Sequence, residues 1–314
     1  MGNTTLAAPL SHLQLLIARS IRAKVAGPDA TEREKQIWGA PGERWFRPED
    51  PISLVHADAS MYVGGIRALL LQALHPLAMA GVAGHSGFKG DPWGRLQRTS
   101  EYIAVTTFGR IDDAERVIAR IRGIHRGVNG TAPDGRPYAA SDPHLLKWVH
   151  IAEIESFLTA YQTFNPHPLS PADADRYVAQ TSEIGRRVGV VDPPVTVAEL
   201  YDHLRSYGPE LEATDAAMDT VQFLLFEPPL PPSAKAGYWL LAQAAVSILP
   251  ASARRMLDLG DWRVTDAFLG RPAGDVSTAL VRWAFGHPDM HKPTPGWRAE
   301  TSETAEPGEK WASS

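Results

Sequence analysis

The sequence predicts an all-α protein built as a single multi-helix domain, and three observations lead there. Apolar residues recur every three to four positions through most of the chain, as in Val117, Ile121, Ile124 and Val128, or Leu145, Trp148, Ile151 and Ile154. Prolines and helix-starting residues punctuate these runs at intervals that suit helices. No alternating strand-helix pattern and no internal repeat interrupts them. VGVVDPPVTV (188–197) is the one stretch that reads as a short strand, and it is isolated.

In chain order, residues 1–26 read as an amphipathic helical arm that ends at Gly27 and Pro28. GAPGERWFRPEDP (39–51) is rich in charge, glycine and proline and reads as irregular chain. Asp112 and Asp113 before ERVIARI, and Ser141-Asp142-Pro143 before HLLKWVH, mark helix starts. Further helices are expected near 171–187, 197–207, 211–226, 234–247 and 250–258, separated by DPPV (192–195) and EPPLPP (227–232). The expected division is an arm and loop over 1–45, a main domain over 46–285, and a polar tail over 286–314 that is predicted to be disordered.

Composition narrows the function. Hydrophobic residues at 44% supply a substantial core, and a net charge of −5 without a basic run argues against a nucleic-acid partner. The chain has no cysteine, which removes disulfides, thiolate metal sites, cysteine nucleophiles and covalently attached haem. The first 25 residues lack the basic start and long apolar run of a signal peptide. The longest apolar stretch, IRALLLQALHPLAMAGVAG (66–84), contains Arg67, Gln72, His75 and Pro76, so it reads as a buried core helix with no membrane span. A cytoplasmic protein is expected.

Several catalytic patterns fail on spacing. GHSGF (84–88) has Phe88 where a nucleophile elbow needs glycine, and a small-residue helical turn describes it better. No histidine follows a glutamate by three positions, and no HExxH occurs. His75 lies in a very apolar run, where it is either a core histidine bonded to a backbone carbonyl or part of a cavity wall. Two helical faces are more distinctive. Arg95, Arg98, Thr99 and Tyr102 share one, with Glu101 the one nearby acid, and Arg122, His125, Arg126 and Asn129 share the other. The cationic neighbours favour a neutral His125, the form that binds metal. The other reading is a solvated basic face that happens to contain a histidine.

At these residues the chain resembles the MpaB-like oxygenase family, which includes the bacterial rubber oxygenases. The likeness runs through LQALHPLAMAGVAGHSGF (71–88), PWGRLQRTSEYIAVTTFG (92–109), RGIHRGVNG (122–130) and YAASDPHLLKWVH (138–150), within about 50–285. It implies a globin-like, all-α core holding haem b without a covalent bond. In the family's Arg-x-x-His element, here Arg122-Gly123-Ile124-His125, the histidine is the proximal iron ligand. The family's Arg-x-x-Lys-Thr element becomes Arg95-Leu96-Gln97-Arg98-Thr99. An arginine cannot give iron a lone pair, so the lysine cap does not carry over. Asn129 likewise replaces a family arginine.

The resemblance implies His125 on the metal, with Arg122, Arg95, Arg126 and His75 around the cofactor. Arg98, Thr99 and His85 become the residues expected near the chemistry. The expected function is a haem b-dependent oxygenase that treats a hydrophobic small molecule, such as an alkene, terpenoid or aromatic metabolite, with O2 or peroxide. The electron donor is unidentified. One alternative keeps the family with another metal or none, and another is a non-catalytic protein that binds haem or a hydrophobic ligand.

Overall fold

The computed structural model describes residues 4–85, 90–260, 270–287 and 290, with no side chains described for 4–9 and 85. It is all-α. In order, the helices are α1 (Thr4–Ala26), α2 (Ala30–Glu34), α3 (Pro51–Ala57), α4 (Ser60–Gln72), α5 (Pro76–His85), α6 (Pro92–Phe108) and α7 (Ile111–Gly127). After a small hairpin come α8 (Pro143–Phe164), α9 (Pro171–Val188), α10 (Val197–Ser206), α11 (Asp215–Val221), α12 (Pro232–Ser247), α13 (Ala251–Met256) and α14 (Arg271–Phe285). Short π-helical turns over Lys35–Gly39 and Gln222–Phe226 extend α2 and α11, and a 3₁₀ turn over Gly208–Glu210 follows α10.

The centre is the crossing of α4 and α8. Helix α8 runs 22 residues because Asp142 caps its start, accepting from His144 N, while Pro143 occupies a position that needs no donor. Trp148, Ile151, Ile154 and Phe157 on it are buried against Val63, Leu70 and Leu71 of α4. The helices approach closely at Gly64, where a Cβ would stand 2.9 Å from Phe157 Cδ1 and 3.1 Å from its Cα. Buried Arg67 crosses the same interface. It donates to Glu155 at 3.0 Å (Nη2 to Oε1), to Ser156 Oγ at 2.7 Å and to the Ile248 carbonyl at 2.9 Å. A buried cation is tolerable because nearly every donor is matched.

Around this pair, α6 and α7 form a hairpin, α9 packs on α3, α7 and α8, and α12 packs on α4 and α14. The expected N-terminal helical segment is described as α1 from Thr4 onward. Helix α1 lies on α6 and α14, with Ser11 Oγ 2.9 Å from His287 Nε2 and Gln14 Nε2 donating to the Trp283 carbonyl. Chain direction turns by 105° between α4 and α5. Among the described residues no single helix is long and apolar enough to cross a membrane; only the bent α4–α5 pair reaches that length and composition together, and α4 is largely core.

The expected strand at 188–197 is absent. Asp175 Oδ1 accepts from Val197 N, and Ser182 Oγ hydrogen-bonds the Pro194 carbonyl, so side chains and not a partner strand hold that segment. The sheet lies elsewhere: β1 (Asn129–Thr131) pairs antiparallel with β2 (Pro137–Ala139). Asn129 therefore belongs to a strand and not to the helical face shared by Arg122, His125 and Arg126. Most of the expected tail and residues 86–88 of GHSGF lie outside the described residues.

Candidate functional site: an apolar cavity and a histidine cluster

A cavity of about 2670 Å³ lies between α1, α4, α6, α7, α8 and α12. Several large apolar side chains leave exposed faces toward it: Leu16, Leu69, Leu96, Ile124 and Val149. Apolar surface left exposed on five helices around one space has the character of a candidate binding cavity.

Helix α6 supplies one polar edge. It starts at Asp91, whose carboxylate accepts from Gly94 N at 2.9 Å, and Pro92 follows in the first turn. The resulting register brings Arg95, Arg98, Thr99 and Tyr102 to the cavity lining. Arg98 is well exposed and pairs with Asp91 at 3.2 Å, so Glu101 is not the one acid near these arginines. Burial and the Arg98 charge hold the Arg95 guanidinium below its ordinary pKa.

Helix α7 supplies His125. Its stripe of Ile121 and Ile124 lines the cavity, and His125 follows it as a half-buried side chain. The imidazole Nδ1 is buried and has no hydrogen-bond partner. Burial lowers the pKa of His125 and favours its neutral form. The expected cause, cationic neighbours, is not the operative one, because Arg122 and Arg126 are exposed and neither lines the cavity.

Helix α8 adds two groups that sequence reasoning did not place in the site. His150 and Glu153 are one turn apart, and both line the cavity. Burial pushes the Glu153 carboxyl up to about 7. It also drives His150 down to about 4, with the Arg186 charge as a smaller cause, and leaves its Nε2 without a partner. The signal was the single His-x-x-Glu order, the reverse of the Glu-x-x-His pairs of di-iron sites, and one such pair is too little to mark a site from sequence. His56, also in the cavity lining, hydrogen-bonds Thr107 Oγ1 at 2.8 Å, and burial lowers its pKa to about 3.

Of the residues singled out from sequence, Arg95, Arg98, Thr99 and His125 thus meet at the cavity. His85 ends α5, and its side chain lies outside the described residues. His75 is fully buried but is neither bonded to a carbonyl nor on the cavity. It belongs to a second group with His144 and Glu210, whose donor atoms all lie within 4.8 Å of one another. His75 Nε2 stands 3.5 Å from Glu210 Oε2, and His144 Nε2 stands 2.9 Å from the same oxygen. Tyr207 stacks on His144, with ring centroids 4.5 Å apart. Burial, more than its charged neighbours, lowers the pKa of His75.

Fold and site define an all-helical domain enclosing a large, mostly apolar cavity, with a neutral imidazole and a protonatable carboxyl in its wall. The chain belongs to the family described as ER-bound oxygenase mpaB/B'/Rubber oxygenase, catalytic domain, whose profile matches residues 54–283. Two curated relatives, uncharacterized proteins of Mycobacterium bovis and Mycobacterium tuberculosis, are each 31% identical over 110 residues. That match covers 34% of this chain and 43% of each relative, so the chain spans less than half the length of the curated relatives it matches. No solved structure matches it significantly.

Proposed function

We propose that this protein is a haem b-dependent oxygenase acting on a hydrophobic small molecule. Membership in an oxygenase family supports the reaction class. One observation supports the cofactor: His125 presents a neutral imidazole, with a buried nitrogen lacking any partner, at the wall of a roomy apolar cavity. An orphaned buried nitrogen is costly unless something binds the ring or fills the space beside it. These residues fit haem.

In this reading His125 would ligate the iron, and Arg95 and Arg98 would meet the propionates at the polar edge. Arg122 and Arg126, both exposed, would have no part in holding it. Haem, when bound, supplies redox chemistry with O2 or peroxide. The chain's own residues set the conditions. Apolar walls from α1, α4 and α8 would receive an apolar substrate, which would displace water from them. Glu153 holds a proton below about pH 7 and can exchange it with a group in the cavity. The Tyr102 hydroxyl, whose pKa burial raises, stays protonated and available as a donor.

The test is haem titration of the purified full chain, followed by oxidant consumption with hydrophobic alkenes. One equivalent of haem with a sharp Soret band is expected. His125→Ala should weaken uptake by tenfold or more, on the order expected for losing a metal contact, while the helical signal is unchanged. Unaltered stoichiometric haem in the variant would overturn the ligand assignment. Haem uptake without turnover of any oxidant would favour a carrier.

A further inference from the structure

We propose that His75, His144 and Glu210 form a second site, for a divalent first-row transition-metal ion of the zinc type. Its ligands come from three separate segments: the α4–α5 bend, the first turn of α8, and the 3₁₀ turn after α10. None of the three lines the large cavity. Among the described residues this is the one group of three histidine or acidic side chains whose donor atoms converge this closely.

Two of the three donor separations suit a cation between them. Two donors each about 2.0–2.1 Å from one tetrahedral zinc ion stand about 3.3 Å apart. The observed separations to Glu210 Oε2 are 2.9 and 3.5 Å. His75 Nε2 is buried and has no hydrogen-bond partner, in a residue only 1% exposed.

The tautomer of His144 points the same way. Tyr207 Oη donates to the His144 carbonyl at 2.8 Å and lies 3.3 Å from His144 Nδ1. With its proton committed to the carbonyl, the phenol oxygen accepts from Nδ1–H. That leaves the Nε2 lone pair facing the Glu210 carboxylate, which is repulsive unless a proton or a metal lies between. An outer partner that fixes the ring in this way is the usual support of a metal-bound histidine. One contact opposes uptake: Ala78 N–H lies 3.5 Å from His75 Nδ1 and favours the tautomer that donates from Nε2. His144 and Glu210 are half-exposed at 50% and 40%, so solvent reaches the ion and completes its coordination. Such an ion would pin the turn at 208–210 to the bend between α4 and α5.

The experiment uses the untagged full chain, stripped with chelator and titrated with Co2+ and then Zn2+. One equivalent of Co2+ should give visible d–d absorption that Zn2+ abolishes, and Zn2+ should raise the Tm. His144→Ala and Glu210→Gln, both at partly exposed positions, should fold and lose the Co2+ signal. Tyr207→Phe should weaken Zn2+ binding on the order of tenfold. Absence of the signal, or equal signal in both ligand variants, would overturn the site and leave a hydrogen-bonded cluster only. Haem uptake by His144→Ala should be normal, which separates this outcome from any failure of His125 as a haem ligand.

Discussion

Glu153 stands one turn from His150 with its carboxyl pushed from 4.5 up to about 7 by burial. Between those values the folded chain keeps the proton and the unfolded chain releases it. Stability from this group therefore falls as pH rises through that window and levels off above it. Glu153→Gln keeps the shape and removes the titration. The variant should be more stable than its parent by roughly 1–3 kcal/mol at pH 8, the lower figure allowing for water in the cavity, with little difference near pH 4.5. Urea unfolding at the two pH values checks this, and a pH-independent difference would refute it.

Arg98 offers a second residue-scale prediction. Held by Asp91 and 60% exposed, it lies at the cavity's edge. Arg98→Lys should therefore keep the ion pair and add no amine ligand to ferric haem. A shift to a six-coordinate, low-spin spectrum would mean that this side chain swings inward.

His125, Arg95, Arg98 and Thr99 were singled out from two helical faces together with the family resemblance, and all four line the cavity. The exposure of Arg122 and Arg126 was not legible in this way, since a face shared by four residues does not say which of them point inward. Glu210 was out of reach for a simpler reason. It meets His144 only because the chain folds back after 66 positions, and no local pattern encodes that meeting.

At the scale of elements, proline and capping signals located helix starts well, and α9, α10 and α12 begin within about two residues of expectation. The hairpin was missed although its signal was present. Pro133-Asp134-Gly135 is turn chemistry, and Gly135 takes a φ of +87°, which glycine adopts without strain. A preceding helical period that ran on through Val128 masked it. Helix α4 carries two adjacent glycines with opposite roles. At Gly64 a Cβ would press on Phe157 and stand 3.2 Å from the Ser156 carbonyl oxygen, whereas at Gly65 it would meet nothing within 4 Å. Gly64→Ala forces α4 and α8 apart, and this should outweigh the helix-propensity gain and destabilise by about 1–2 kcal/mol. Gly65→Ala should stabilise by up to about 1 kcal/mol. Equal shifts in Tm for the two variants would contradict the close crossing.

For the molecule as a whole, the cavity depends on α1. Leu16, Ile17 and Ile21 form part of its wall, and α1 is fastened to α14 through Gln14–Trp283 and to His287, just past its end, through Ser11. Deletion of residues 1–26 should leave the α4–α8 core folded, since none of that core lies in α1, but open the cavity to water. The shortened protein should keep a cooperative thermal transition and lose haem severalfold faster to an apo-haem acceptor. Unchanged retention would show that the remaining walls suffice.

The fastening of α1 also has a consequence in time. Ser11 and His287 are 276 positions apart, so during synthesis α1 emerges long before the helix that secures it. Until α14 leaves the ribosome, α1 has α2 and α6 to lie on but lacks its second large contact. On the haem-dependent reading, that interval would be a loading window, in which a bulky guest enters from the side before the α1–α14 contact closes.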